Sequence, residues 1–132
     1  MTGTTLPLEL DRLIDTHLEA YAEPDAERRQ ALVAQVWRPD GHLIDPPFDG
    51  RGHQEIAAMT DAVLAHYPGH TFNRTTAIDE HHGVARYGWA LVGPDGVPAV
   101  TGTDVVDLDE DGRIARVLGF FAGGGSSPAE PF

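Results

Sequence analysis

The spacing of apolar residues predicts three helices in the first half of the chain. Between residues 8 and 22, apolar side chains recur every three or four positions, which is the period of a helix buried along one face. A Pro-Asp pair at residues 24–25 supplies a stop and an N-cap for a second helix. This helix should run through Trp37 and end at a Pro-Asp-Gly turn at residues 39–41. A third helix is predicted over residues 56–67.

The second half of the chain alternates apolar and polar residues, as strands do. The predicted strands cover residues 70–79, 84–92, 97–108 and 113–121. Short glycine-containing turns at residues 82–83, 94–96 and 110–112 separate these four strands, which predicts an antiparallel meander. A shorter strand at residues 42–44 and a loop at residues 50–52 precede the third helix. Helices followed by a run of strands indicate an α+β fold with the helices on one face of the sheet.

Asp104 is an unusual residue in the strand predicted at residues 97–108. It shares a face with Val100, Gly102, Val106 and Leu108. A carboxyl group in an apolar row is costly unless it is paired or protonated, so we expect its pKa to be raised. The opposite face is mixed and suits a homodimer contact. Its members include Thr101, Thr103 and Val105.

A second candidate carboxyl group, Asp45, lies in the segment HLIDPPFDG at residues 42–50. It follows a short apolar strand and precedes Pro46-Pro47, which cannot donate to a strand ladder. Two interpretations are open at this point. Asp45 forms a turn through its side chain, or it stands at the mouth of a pocket near the aromatic Phe48.

Composition excludes several classes of function. The 132 residues suit one domain over residues 1–122, with flexible ends at residues 1–5 and 123–132. The formal net charge of −12 argues against nucleic-acid binding, which needs a basic surface. No apolar run reaches membrane-span length and no signal peptide is visible, so we expect a cytoplasmic protein. The absence of cysteine excludes disulfides, thiolate zinc sites and a cysteine nucleophile.

We expect no metal site and no phosphate-binding loop. The sequence Asp-Glu-His-His at residues 79–82 offers potential ligands, but neighbouring strand residues point to opposite faces and rarely share an ion. The glycine triplet at residues 123–125 has no following helix, so it does not predict a phosphate loop.

The order of the predicted elements resembles that of the nuclear transport factor 2-like superfamily. The segments HLIDPPFDGRG and GTDVVDLDEDGRI carry the resemblance, which extends over roughly residues 8–121. The ketosteroid isomerase and SnoaL-type polyketide cyclase branches are the most similar. The resemblance implies a cone-shaped α+β fold, in which a strongly curved antiparallel sheet and three N-terminal helices enclose an apolar cavity. The fold alone does not define the activity, because it hosts isomerases, cyclases, hydrolases, dehydratases and non-catalytic binders.

The resemblance also implies roles for individual residues. Asp45 matches the aspartate general base of ketosteroid isomerases, and Asp104 matches the protonated acid that donates to the developing oxyanion. The tyrosine expected on the first helix is replaced by His17, a candidate proton shuttle, while Tyr21 one turn later could reach the same cavity. The remaining predicted pocket residues are apolar or aromatic. They are Phe48, Met59, Tyr87, Trp89, Val117 and Phe121.

The resemblance and the carboxyl pair together suggest acid/base catalysis without a cofactor on a small hydrophobic or polyketide-like molecule. The reaction would be an isomerisation, a cyclisation or a lyase-type dehydration that begins with proton removal next to a carbonyl. Two alternatives stay open. The domain could bind a ligand or dimerise without catalysis, or Asp45 could activate water to hydrolyse an epoxide or an ester.

Overall fold

The structure is a computed structural model that describes residues 7–122, with side chains described from residue 9. The helices are α1 (Pro7–Ala20), α2 (Ala26–Val36) and α3 (Gly52–His66). The strands are β1 (Trp37–Asp45), β2 (Phe48–Arg51), β3 (Thr71–Arg74), β4 (Asp79–His81), β5 (Val84–Val92), β6 (Pro98–Leu108) and β7 (Ile114–Phe121). The two terminal segments predicted to be flexible, and the glycine triplet, lie outside the described residues.

The strands form one curved, open sheet that confirms the predicted α+β fold. Its order is β2-β1-β7-β6-β5-β3, and β4 also pairs with β5. The meander β5-β6-β7 is antiparallel, as predicted from the short turns. In contrast, β1 pairs with β7 in parallel, so the first and last strands of the sequence lie side by side. This long-range pairing positions the candidate site.

The end of α2 differs from the prediction. The helix ends at Val36, and Trp37 begins β1 instead of closing the helix. The segment predicted as a turn at residues 39–41 lies within β1, where the register against β7 is irregular. Gly41 packs against the Trp37 ring, and a Cβ atom at this position would clash with it. Burial of the whole indole therefore outweighs the local turn preference of Pro-Asp-Gly.

Two other boundaries also differ. Residues 48–51 pair with β1 as β2, where the sequence predicted a loop from residue 50. The strand predicted over residues 70–79 is divided into β3 and β4, because residues 75–78 leave the ladder. Both differences concern short edge segments, whose pairing depends on a neighbouring strand more than on their own pattern.

The core lies between the helices and the concave face of the sheet. In β6, Gly102, Asp104 and Val106 are buried while Thr101 and Thr103 are exposed, which confirms the predicted alternation. Buried core residues come from every layer of the fold. They include Ile14, Leu18, Trp37, Leu43, Ile56, Leu91, Ile114 and Val117. Among the described residues, no helix is both long enough and apolar enough to cross a membrane.

Candidate functional site

The two predicted carboxyl groups lie in one row across the concave face of the sheet. Asp104 on β6 pairs in register with Gly119 on β7 and with Tyr87 on β5. The parallel ladder pairs Ile44 with Leu118, so Asp45 follows beside Gly119. Two strand spacings then separate the Cα atoms of the aspartates, or about 10 Å. The row joins residues from distant parts of the chain.

Gly119 makes room for the Asp45 side chain. A Cβ atom at Gly119 would lie 2.5 Å from Asp45 Oδ1 and 2.6 Å from Asp45 Cγ. The carboxyl group of Asp45 therefore lies directly over the glycine, leaning across β7 towards Asp104. No other residue type leaves this space open, because every other side chain begins with Cβ.

Asp104 is buried and accepts two hydrogen bonds. Tyr87 Oη donates to Oδ2 at 2.7 Å, and Trp89 Nε1 donates to Oδ1 at 3.0 Å. Burial, assisted by the charge of Asp45, raises the pKa of Asp104 from 3.8 to about 7, although both hydrogen bonds act in the opposite direction. The predicted burial and raised pKa are confirmed. Asp104 does not line the pocket described below. In this arrangement its carboxyl group does not contact the space where a ligand oxyanion would lie.

Asp45 differs from Asp104 because one of its oxygens has no partner. The residue is 8% exposed, and Oδ1 makes no hydrogen bond with the described residues. Burial raises the pKa of Asp45 from 3.8 to about 7. A carboxyl group with this pKa exists in both protonation states at neutral pH, which suits a general base.

Tyr21 lies close to both carboxyl groups. Its hydroxyl is buried and has no hydrogen-bond partner among the described residues. Burial raises the pKa of Tyr21 well above 10, and the charges of Asp45 and Asp104 raise it further. The phenol therefore stays protonated at neutral pH and remains a hydrogen-bond donor.

His17 does not have the near-neutral titration expected of a proton shuttle. Burial lowers its pKa from 6.5 to about 3. The ring packs at 4.7 Å from the Tyr21 ring and 5.7 Å from the Trp37 ring, measured between centroids, and neither nitrogen has a partner among the described residues. The sequence showed that His17 lies on the buried helix face, but it did not show that aromatic rings would surround the imidazole.

A small pocket with a free volume of about 10 Å³ lies beside Asp45. Its wall is apolar except for Tyr21 and Asp45. The lining residues are Tyr21, Leu43, Asp45, Phe48, Met59, Val63 and Phe72. The space is far below the 300–1,000 Å³ typical of ligand pockets and is about that needed for one water molecule. A larger ligand therefore requires wall side chains to move.

The predicted pocket residues divide into two groups. Tyr21, Phe48 and Met59 line the pocket, whereas Tyr87, Trp89 and Val117 are core residues that do not line it. Phe121 is half-buried and packs against Trp89, with 6.2 Å between ring centroids.

Sequence reasoning missed Leu43, Val63 and Phe72 as lining residues. Leu43 lies two residues before Asp45 on the same strand, and Val63 lies four residues after Met59 on the same helix. Both spacings place the missed residue on the face of a predicted one. Nothing local identified Phe72, because its position depends on how β3 pairs with β5.

Outside this site, the side chains of His81 and His82 lie together, although strand alternation predicted that they would point to opposite faces. His81 Nδ1 and His82 Nδ1 lie 3.2 Å apart. The rings meet because His82 has a φ of 53° in the turn, so the strand alternation assumed from the sequence does not apply there. No group of three or more potential metal ligands occurs in the part of the chain that the structure describes.

Three helices packed on a large, curved, open sheet define the class of the protein as a nuclear transport factor 2-like α+β domain. A family model described as a SnoaL-like domain matches residues 14–117. The chain therefore belongs to the SnoaL-like family.

Solved structures agree with this assignment. A proposed isomerase of the SnoaL-like family from Agrobacterium tumefaciens is 41% identical, with a TM-score of 0.79 over 85% of this chain and 96% of that chain. A proposed polyketide cyclase from Sinorhizobium meliloti is 19% identical, with a TM-score of 0.65 over 87% of this chain and 99% of that one. A nuclear transport factor 2-like protein of unknown function from Exiguobacterium is 14% identical, with a TM-score of 0.61 over 83% and 97%. The last two show the fold alone. No curated protein matches the chain significantly.

Proposed function

We propose that the pocket opens by movement of its wall side chains to bind a small carbonyl compound, and that Asp45 removes a proton from the carbon next to the carbonyl. The C–H bond breaks, its electron pair forms an enolate, and the proton moves to a carboxylate oxygen of Asp45. Tyr21 Oη donates a hydrogen bond to the enolate oxygen. Return of the proton to another carbon completes an isomerisation. Attack of the enolate on a second carbonyl group would instead give an aldol-type cyclisation.

The observation that carries this proposal is the pair of unpartnered polar groups on an otherwise apolar pocket. Asp45 Oδ1 and Tyr21 Oη are buried without partners among the described residues, and both residues line the same space. A buried polar atom without a partner costs free energy, so such atoms in a pocket indicate a ligand or water that completes them. The lining supplies one acceptor and one donor, as enolate formation requires.

Asp104 supports this chemistry through its coupling to Asp45. Both carboxyl groups have a pKa of about 7, and the charge of Asp45 raises the pKa of Asp104. The pair therefore titrates as a unit, and near pH 7 the state with one proton on the pair is well populated. In the singly protonated state that has Asp45 ionised, the proton is on Asp104. This arrangement keeps a second negative charge away from the developing enolate.

One relative supports the same reaction class. The 41%-identical Agrobacterium protein is a proposed isomerase, and an isomerisation can begin with an enolate. Hydrolysis by an activated water is less well supported, because apart from Tyr21 and Asp45 the described lining offers no polar group to hold that water.

The test is proton exchange into small enones and β-keto compounds in deuterium oxide, followed by NMR. We expect the parent protein to catalyse exchange and Asp45→Asn to reduce the rate by roughly 10²- to 10⁴-fold, the usual contribution of a general base. Asp111→Asn is the matched control, because it makes the same change at an exposed turn and should keep the parent rate. An Asp45→Asn protein that exchanges as fast as the parent removes Asp45 from the mechanism. A parent inactive on a broad panel indicates a binding module instead.

A further inference from the structure

The turn between β4 and β5 holds two exposed imidazole rings against each other. His82 and Gly83 form the turn with φ values of 53° and 80°, and His81 pairs in register with Val84 across it. Positive φ at both central residues is typical of the type I′ turn that joins antiparallel strands. His82 therefore has a backbone conformation that is uncommon outside glycine, and its ring lies against that of His81.

The two rings meet through the same nitrogen atom of each imidazole. His81 Nδ1 and His82 Nδ1 lie 3.2 Å apart, and the ring planes are inclined by 79°. A neutral imidazole has one N–H donor and one acceptor nitrogen, so a hydrogen bond between the rings uses one Nδ1 as donor and the other as acceptor. The separation is at the long end of the range for such a bond.

The same separation also suits a shared metal ion. Imidazole nitrogens bind zinc and related divalent ions at about 2.0–2.1 Å. Two such nitrogens lie about 2.9 Å apart if they meet at a right angle and about 3.4 Å apart at the tetrahedral angle. The 3.2 Å between the two Nδ1 atoms falls within this interval. On binding, the hydrogen on Nδ1 returns to solvent and the same ring takes one at Nε2, so both imidazoles stay neutral.

The charge around this turn favours a cation. Glu80 Oε2 accepts a hydrogen bond from Gly83 N at 3.2 Å, which holds a carboxylate at the turn. The β6–β7 turn lies alongside, because Leu108 N donates to Gly83 O at 2.8 Å, and the three residues that follow, 109–111, are all acidic. Such a surface raises the local concentration of cations, and the paired imidazoles select among them.

We propose that His81 and His82 form a chelating site for a divalent transition-metal ion, bound through both Nδ1 atoms with water at the remaining positions. Imidazole ligands favour Zn²⁺, Ni²⁺ and Cu²⁺, of which Cu²⁺ binds most tightly, whereas Mg²⁺ takes oxygen ligands. Strand alternation argued against a shared ion at residues 79–82, and the turn conformation removes that objection. The site shares no residue with the pocket beside Asp45, so it is independent of the proposed function.

Titration calorimetry and electron paramagnetic resonance with Cu²⁺ test the proposal on protein without an affinity tag. We expect the parent to bind Cu²⁺ with a spectrum that shows coupling to two imidazole nitrogens, and excess Mg²⁺ should not compete. His82→Asn should weaken binding at least tenfold, since loss of even an outer partner of a metal ligand costs roughly 10- to 100-fold in affinity. Asn readily adopts positive φ, so this variant keeps the turn.

Two further variants separate the site from general binding of copper to histidine. His81→Ala removes the other nitrogen and should give the same loss. His66→Asn is the matched control, because it removes an exposed imidazole from α3 and should keep the parent affinity. The proposal is overturned if the parent binds no Cu²⁺ or if Mg²⁺ competes with it. Affinity unchanged in His82→Asn, or lost equally in His66→Asn, would also overturn it and would indicate an adventitious ion only.

Discussion

At the residue scale, burial shifts the pKa values of two groups in the site, Asp45 and His17, in opposite directions. The folded state raises the pKa of Asp45 to about 7 and lowers the pKa of His17 to about 3, in both cases because burial favours the neutral form. Because the folded state favours neutral Asp45, this group contributes its full stabilisation of the folded protein below pH 3.8. The contribution is lost as the pH rises through about 7. The stability due to neutral His17 is complete above pH 6.5 and is lost as the pH falls towards 3.

Single substitutions should separate these two effects. Asp45→Asn removes the cost of ionising a buried acid, so its free energy of unfolding relative to the parent should rise between pH 4 and pH 8. Three pKa units set an upper limit of about 4 kcal/mol for this change. His17→Phe should show the reverse trend and gain relative to the parent as the pH falls from 7 to 4. Urea unfolding at several pH values measures both, and differences that stay constant with pH would contradict the assigned burial.

At the element scale, β7 is the strand that brings the site together. It pairs with β1 on one side and with β6 on the other, so its inward residue Gly119 lies between Asp45 and Asp104. The alternation of β7 places Val117 on the same inward face, and that residue is fully buried. Without a side chain at residue 119, the Asp45 carboxyl group can occupy the middle of the row.

Gly119→Ala should therefore disturb the proton exchange that we propose for Asp45. A methyl group would displace the carboxyl group by contact with Oδ1, and we expect the rate of proton exchange to fall roughly 10²-fold, as small displacements of a catalytic group do. The pH at which exchange is half-maximal should also move, because the distance between the carboxyl groups changes. A purely structural defect would lower stability without moving that midpoint.

Gly88→Ala is the matched control for this prediction. Gly88 is also a sheet glycine, but a Cβ atom there would meet the Thr75 and Thr76 side chains, which do not line the pocket. This variant should keep the parent pH profile even if its stability falls. A Gly119→Ala protein with the parent rate and midpoint would show that the glycine does not position Asp45.

At the scale of the whole molecule, the outer face of the sheet remains our predicted homodimer surface. Thr101 and Thr103 are exposed there, and Phe120, which pairs in register with Thr103, is 57% exposed. An exposed aromatic ring beside threonines is the kind of surface that a second copy can cover. Dimer formation on this face would leave the pocket mouth free, since the pocket lies on the concave side.

Sedimentation of the parent and of Phe120→Lys tests this prediction. We expect the parent to sediment at twice the chain mass at micromolar concentration and Phe120→Lys to shift towards the single chain, because a buried lysine without a partner is costly. Thr71→Lys, at an exposed position on β3, is the control and should stay dimeric. A parent that sediments only as one chain would refute the predicted dimer.

The sequence by itself determined the features that depend on local patterns. Periodicity located all three helices and the meander, since these elements bury a face whose spacing is visible in neighbouring residues. Alternation in β6 identified Asp104 as an inward carboxyl group, and the Asp-Pro-Pro segment identified Asp45 as the end of a strand. Each carboxyl group could be found separately.

Only the tertiary structure decided how these parts meet. The parallel pairing of β1 with β7 joins residues more than 70 positions apart, and no local period encodes it. The same is true of Phe72, which reaches the pocket through the pairing of β3 with β5. The pKa of His17 likewise depends on the Tyr21 and Trp37 rings that surround it. Local sequence determines which face of an element a residue occupies. Packing between distant segments determines its neighbours, and these neighbours set its pKa and its hydrogen-bond partners.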